Sequence, residues 1–481
     1  MIGAPVVISN LANSVRITAE GTPVYGTPLE AMVVGTDLRS MGAPVQLHDL
    51  QGVMARGDDP YVALKALLEE PATLHCITGL ANMTPELMLT LASLGPDPNR
   101  QICIMGLGPA GVEARILELM PNVTYVVPST DAKAIVNIIK SLRNHGEYMI
   151  PGVYQRGPEG IVDTAGGGTG FLADKALDWS LVNLDDYPMA TTFTTGGCRW
   201  NCPFCKRPLL YKRRRFKRNL VIVKRELDAL VKDWRNVDWG LLQINDDTFF
   251  AEVEHSKSFC LLMEKYERRL NWACFLRVSE INKEMLEYLH RANCTSVFIG
   301  LECGTDHMLQ DLNKGSTVED AKRACELTLE YIPHVRAGFL WNLPDETLED
   351  FHQTVKLALW AASKGVEIAC LSSLMLFGGT KMYKQHVHEL KGSDLYTSHA
   401  TSFDSGSGSP ASLELIGRYP ELFSAHYWLP NPDFDEKAAV VLQLYGLLED
   451  MGRLNPTWFA DDSNLRMHSS ADSGTNRRNV S

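Results

Sequence analysis

Thr194-Thr195-Gly196-Gly197-Cys198-Arg199-Trp200-Asn201-Cys202-Pro203-Phe204-Cys205 sets three cysteines in a Cys-x3-Cys-x2-Cys array behind a Gly-Gly pair. Thiolates this close along a chain can surround only one metal centre, and they need a loop to do so. A structural zinc site wants four ligands, usually as two pairs. No second pair follows here, because Cys260 and Cys274 stand singly. A [4Fe–4S] cluster normally takes four cysteines, so three leave one iron open. Two readings stand at this level: a zinc knuckle completed by a distant His, or a cluster with a vacant iron.

Composition narrows the setting. The chain has 481 residues, enough for several domains, with 45% hydrophobic and 22% charged residues. Its formal net charge is −12, which argues against a polyphosphate partner, so no nucleic-acid substrate is expected. The 11 cysteines lack the repeated short spacing of a disulfide scaffold and imply a reduced, cytoplasmic protein whose one cluster binds metal. The N-terminus lacks the basic and apolar runs of a signal peptide. No apolar stretch reaches bilayer length, so no membrane span is expected.

Around the array, the pattern alternates strand and helix. A β-branched strand over 191–195 delivers the cysteine loop, and further strands are predicted over 239–244, 272–278, 296–304, 335–341 and 368–375, each followed by a helical pattern. Six such units over 190–385 describe a partial (β/α)6 barrel. Adjacent carboxylates at a strand's C-end, as at Asp246-Asp247, face the active site of an α/β barrel and suit an α-ammonium group. The basic run from Lys212 to Arg218 reads first as a solvated face.

Residues 1–145 alternate in the same way, with Gly79, Gly106 and Gly108 at strand C-ends and Thr84-Pro85 opening a helix. This is an open parallel sheet of flavodoxin or Rossmann type, whose ligands sit at those C-ends. A linker over 146–189 carries two short strands around a turn. A small, mostly helical region is expected over 386–460, where the aromatic run Phe423–Trp428 is read as packing, and a polar, disordered tail over 461–481.

The array, with Phe204 before its third cysteine, resembles the Cys-x3-Cys-x-aromatic-Cys signature of the radical S-adenosylmethionine (SAM) enzymes. Asp246-Asp247-Thr248-Phe249 is similar to a family strand end that holds the SAM amine. Arg277 resembles an arginine near the SAM carboxylate. Gly300-Leu301-Glu302-Cys303-Gly304 resembles Gly-x-Glu-Ser-Gly, with Cys303 as an isostere of serine. The first domain resembles the cobalamin-binding domain of the B12-dependent class, Gly106-Leu107-Gly108-Pro109 standing where that class often has Gly-Gly-Pro. It lacks Asp-x-His-x-x-Gly, so no cobalt ligand is named, and Val127-Pro128-Ser129-Thr130 replaces a common Gly-Glu. The alternative for this domain is a flavodoxin-like unit that binds nothing.

The resemblance implies a [4Fe–4S] cluster on Cys198, Cys202 and Cys205. It implies SAM held by Phe204, Asp246, Asp247, Arg277 and Glu302, and cobalamin held by Gly79, Thr84, Gly106, Gly108, Ser129 and Thr130. It further implies that a reduced cluster cleaves SAM to a 5′-deoxyadenosyl radical and that methylcobalamin, loaded from a second SAM, delivers a methyl group. The expected activity is methylation of an unactivated carbon, less readily phosphorus, of a small molecule or peptide in secondary metabolism. An external electron donor of flavodoxin or ferredoxin type would supply the electron. The alternatives are a cobalamin-dependent radical cyclase or rearrangement enzyme and a non-enzymatic metal-cluster scaffold. A methylthiotransferase would want a second cysteine triad, and the first domain has only Cys76 and Cys103.

Overall fold

The computed structural model describes residues 4–11, 16–17, 23–128, 132–144, 149–164, 175–210, 215–235, 240–266, 270–392 and 409–454. Five parallel strands form the first sheet: β1 (Val6–Asn10), β2 (Val45–Asp49), β3 (Leu74–Thr78), β4 (Ile102–Met105) and β5 (Tyr125–Val127). Their spatial order is β2-β1-β3-β4-β5, the flavodoxin-like winding, which opens a ligand crevice at the C-ends where the order reverses between β1 and β3. Strands β1, β3, β4 and β5 are fully buried on both faces, and alternate residues serve separate cores, whereas the edge strand β2 is part-exposed. Val6, Ile8, Leu74, Cys76, Cys103 and Met105 pack with the helices Leu29–Ser40 and Ala132–Arg143. Ile77, Ile102, Ile104 and Val126 pack with the helices Pro60–Glu69, Pro85–Ala92 and Glu113–Leu119.

The hairpin expected in the linker is present as β6 (Tyr154–Gly157) and β7 (Gly160–Asp163), but it does not hang between domains. Strand β6 pairs antiparallel with β5 and extends the first sheet past residue 145. Arg156 fixes it there by donating to the carbonyl of Met120 at 2.9 Å, and to those of Leu117 and Val123.

The second sheet holds six parallel strands in sequence order: β8 (Met189–Thr192), β9 (Leu241–Ile244), β10 (Asn271–Leu276), β11 (Cys294–Glu302), β12 (His334–Trp341) and β13 (Glu367–Ser373). A sheet with strictly sequential order and a helix after nearly every strand curls into an open half-barrel, with its functional end at the strand C-ends. Two of its helices start with complete capping boxes, at Thr317/Asp320 and Thr347/Asp350.

The C-terminal region spans both units. Its helix Pro410–Arg418 and Phe423 pack into the core of the first sheet, so the aromatic segment is packing, as expected. Its helix Phe434–Asp450 packs on the half-barrel, and the Ile368 amide donates to the Arg453 carbonyl at 2.7 Å. The basic run is not wholly solvated. Arg215 pairs with Glu252 at 2.8 Å, whereas Arg218 is buried and meets Glu226, also buried, at 2.5 Å. Lys212, Arg213 and Arg214 lie outside the described residues.

Candidate active site

The cysteine loop leaves β8 at its C-end and is held from five directions. Asp246, at the C-end of β9, takes the Thr194 and Thr195 amides on Oδ1 at 2.6 and 2.9 Å, and the Thr194 hydroxyl on Oδ2 at 2.6 Å. Burial pushes its pKa up to about 6, against the pull of these donors, so at neutral pH it is an anchored carboxylate. Gly197, at φ +84°, takes the left-handed turn that starts the loop. Trp200 donates to Glu280 at 3.0 Å and is stacked by two guanidinium groups, Arg277 at 4.1 Å and Arg199 at 4.7 Å. The Asn313 amide donates to the Asn201 carbonyl at 3.2 Å, and the Met382 amide to the Pro203 carbonyl at 3.0 Å.

Cys198, Cys202 and Cys205 are all free and partly exposed on this loop. Among the described residues, no three Cys, His, Asp or Glu side chains are gathered closely enough to hold a single metal ion. A cluster spreads its thiolates further, because each binds a different iron. Burial pushes the Cys198 thiol up to about 11 and Cys205 up to about 12, so a metal centre must displace their protons. Cys202 lies 3.3 Å from the Arg277 guanidinium, whose other arm donates to the Asn313 carbonyl at 2.6 Å.

Asp247 points away from Asp246, as neighbours at a strand end do. It is 3.3 Å from the Arg207 guanidinium, and its Oδ2 is buried without a partner among the described residues. Its charge raises the thiols of Cys198 and Cys205, so it borders the cluster loop. Burial raises its own pKa while Arg207 opposes the rise. Arg277 Nε is likewise buried without a partner. An orphaned acceptor and an orphaned donor beside three thiols complement the ammonium and carboxylate of an α-amino acid. The residues therefore fit the SAM end that the resemblance puts there. Glu302 stands at φ +68° and pairs with Lys314 at 2.7 Å; a non-glycine residue held there stores about 1–3 kcal/mol of strain, a cost concentrated at functional sites. Phe204 packs into the small core formed by Leu309, Leu343, Leu374 and Leu376.

In the first unit, Gly79 and Gly106 do not frame an empty cradle. They close around Glu30, a residue that the sequence pattern did not single out. Glu30 Oε2 accepts the Thr78 hydroxyl at 2.8 Å and the Gly79 amide at 3.3 Å. Gly106, at φ +101°, has room for no side chain, because a Cβ there would meet Glu30 Oε2 at 2.5 Å. Glu30 is set deep enough for desolvation to raise its pKa, and Arg207 pulls it back, yet it retains some exposure. A half-covered carboxylate at a sheet's C-ends fits the amide-bearing rim of a corrin. Thr84 and Gly108 are taken up by the fold. Thr84 caps its helix through the Leu87 amide at 3.3 Å and meets the Tyr61 hydroxyl at 2.8 Å, and Gly108 packs on Leu80. Ser129 and Thr130 lie outside the described residues. Sequence reasoning also missed Arg207, whose charge is felt by both Glu30 and Asp247, and Lys206. Lys206 is buried and donates to the Gly108 carbonyl at 2.7 Å, joining the cysteine loop to the first unit's crevice loop.

Residues 192–358 match the Radical SAM superfamily model, so the chain carries a radical SAM domain over that stretch. It is similar to solved structures along nearly its whole length. One is the radical SAM methyltransferase TsrM of Kitasatospora setae with cobalamin and a [4Fe–4S] cluster bound, with TM-score 0.69 and 18% identity, covering 92% of this chain and 91% of that one. Another is the cobalamin-dependent radical SAM enzyme OxsB with aqua-cobalamin and SAM bound, with TM-score 0.66 and 14% identity, covering 93% and 67%. The chain thus shares the fold of these structures, an open parallel sheet followed by a half-barrel. Among curated proteins, an uncharacterized methyltransferase of Pyrococcus horikoshii is 24% identical over 43% of this chain. An anaerobic magnesium-protoporphyrin IX monomethyl ester cyclase of Cereibacter sphaeroides is 24% identical over 54%. The matches cover 45% of each of those two relatives, so this chain answers to about half of their length. No helix among the described residues is long and apolar enough to cross a membrane.

Proposed function

We propose that the chain is a cobalamin-dependent radical SAM methyltransferase that acts on an unactivated carbon of a small molecule or peptide. The observation that carries this reading is the junction at Lys206. A three-cysteine loop at the C-end of one parallel sheet is bonded directly to the crevice loop at the C-ends of another. The proposed cluster and corrin sites are thereby neighbours. Cys198, Cys202 and Cys205 hold the cluster, Asp247 takes the SAM ammonium, and Arg277 steadies Cys202 and the SAM carboxylate. Asp246 acts one step back, holding the loop at the length the cluster needs. Glu302 is kept in place by Lys314, and Phe204 backs the loop from the core. Glu30, Gly79 and Gly106 line the corrin side. When bound, these cofactors supply hydrogen abstraction by a carbon radical and a transferable methyl group; the protein supplies position and exclusion of water.

Incubation of the anaerobically reconstituted protein with methyl-labelled SAM and candidate small aromatic or peptide substrates tests this. Label in the product together with 5′-deoxyadenosine or its equivalent SAM cleavage product supports it. The cyclase relatives favour a second reading, a cobalamin-dependent cyclisation or rearrangement. That reading predicts an unlabelled, isomerised or ring-closed product. Stoichiometric zinc with no SAM turnover would instead leave a metal-binding scaffold.

A further inference from the structure

Arg277, just past the C-end of β10, is a buried cation, 6% exposed, and no carboxylate among the described residues lies within ion-pair distance of it. Taking a guanidinium out of water is costly, and buried charges are normally paired. This one spends its donors on the cysteine loop and the turn beside it. Nη1 donates to Cys202 Sγ at 3.3 Å, and Nη2 donates to the Asn313 carbonyl at 2.6 Å. The guanidinium lies 4.1 Å from the centre of the Trp200 ring. Trp200 is itself fixed, because its indole N–H donates to Glu280 at 3.0 Å. Glu280, the acid nearest to Arg277 along the chain, is taken up by Trp200, by the Thr248 hydroxyl and by Arg199 at 3.6 Å. Arg277 is therefore locked in one pose, with its charge against the side chain of a proposed cluster ligand. Its Nε is buried without a partner and leaves the SAM carboxylate its place.

We infer that Arg277 is a positioning residue that sets the reduction potential of the cluster: the cluster is its missing counter-ion, and the fixed positive charge favours the reduced state. The inference rests on the radical SAM reading and concerns the same site. A cluster on three thiolates is an anion. The one electron it takes from a low-potential donor, which is oxidised by one equivalent, adds a negative charge; no bond or proton changes hands. A cation that is hydrogen-bonded to one ligand and shielded from water stabilises that added charge, and both net charge and hydrogen bonds to the sulfurs move such potentials. Arg199 is the natural comparison. It follows Cys198 in sequence and lies 4.7 Å from the same Trp200 ring, but its side chain is 41% exposed and pairs with Glu280. Water and that carboxylate screen it.

The experiment is a redox titration of the anaerobically reconstituted protein without SAM, followed by electron paramagnetic resonance of the reduced cluster. Arg277→Gln should lower the midpoint potential, by on the order of tenfold in the one-electron reduction equilibrium, about 59 mV. Arg277→Lys keeps the charge and should recover most of that shift. Arg199→Gln should shift the potential less than Arg277→Gln does. A purely structural role would lower the iron content of Arg277→Gln and leave the potential of the retained clusters unchanged. That result, or equal shifts from the two glutamine variants, would overturn the inference while leaving the cluster in place. If Arg277→Gln retains no iron, the wild type decides: protein labelled with nitrogen-15 in its arginine guanidinium groups should show a nitrogen-15 coupling to the reduced cluster by electron–nuclear double resonance, and absence of that coupling would overturn the inference. A wild type with no iron–sulfur signal at all would overturn both the inference and the reading beneath it.

Discussion

Asp246 and Asp247 are adjacent in sequence and do opposite things. Both oxygens of Asp246 are occupied by the loop it anchors, whereas Asp247 keeps one buried oxygen open beside the cysteines. The carboxylate pair was readable as a strand-end motif, and both residues were expected to touch SAM. Which of them keeps an open oxygen beside the cysteines was not readable, because it depends on how β8 and β9 are phased. Asp246→Asn keeps an oxygen for the Thr194 and Thr195 amides but makes it neutral, and sets an NH2 group against the Thr194 hydroxyl, which must turn to accept. It should cost about 1–3 kcal/mol at pH 7 and reduce iron retention, measured by urea unfolding and metal analysis. Asp246 also sets a pH dependence. Its folded pKa is raised from 3.8 to about 6, so the native chain holds a proton that the unfolded chain releases. The stability from that proton is full below about pH 4 and is lost as pH rises to about 6, by at most about 3 kcal/mol. The difference in unfolding free energy between wild type and Asp246→Asn should change over that window and be flat above it. Equal profiles for the two proteins would contradict this.

At the scale of elements, the half-barrel depends on the ion pair between Lys437, on the helix Phe434–Asp450, and Glu346, in the turn after β12. Both side chains are wholly buried and 2.8 Å apart, and Lys437 also donates to the Glu346 carbonyl at 3.1 Å. Removing one buried partner strands the other's charge. Lys437→Met should therefore cost about 3–5 kcal/mol, and Lys437→Met with Glu346→Leu should recover most of that loss. Denaturant midpoints of the two variants check this. If the single variant were as stable as wild type, the C-terminal helix would not be bolted as described. The six barrel strands were legible because parallel buried strands read as continuous apolar runs bounded by turn residues. The helix Pro85–Ala92 was legible at its first turn, from Thr84 as cap and Pro85 behind it. Glu346–Lys437 was not, since charged residues in a sequence look like surface until a partner across 91 positions is known. The hairpin of β6 and β7 was found, but its docking on β5 was not, because edge pairing leaves no mark in either segment's own pattern.

At the scale of the molecule, the two sheets are joined near their C-ends by few but specific contacts. Thr27 and Thr191 exchange hydrogen bonds of 2.7 to 2.9 Å, the Thr27 amide donates to the Met189 carbonyl at 3.0 Å, and Lys206 reaches Gly108. Gly111 and Gly379 touch so closely that a Cβ on Gly111 would lie 3.0 Å from the Gly379 Cα. These contacts put the glycine-rich crevice of one unit against the cysteine loop of the other. They span long stretches of chain and so were invisible in the sequence, although each unit was recognisable by itself. The claim on which the rest depends is that Cys198, Cys202 and Cys205 hold an iron–sulfur cluster with one iron open to SAM. It is tested by iron and sulfide analysis of the anaerobically reconstituted protein, with electron paramagnetic resonance of the reduced sample before and after SAM is added. The account predicts about four iron and four sulfide per chain, a signal that SAM perturbs, and loss of both on replacing any one of the three cysteines with serine. Bound zinc, a signal indifferent to SAM, or serine variants that keep their iron would contradict it.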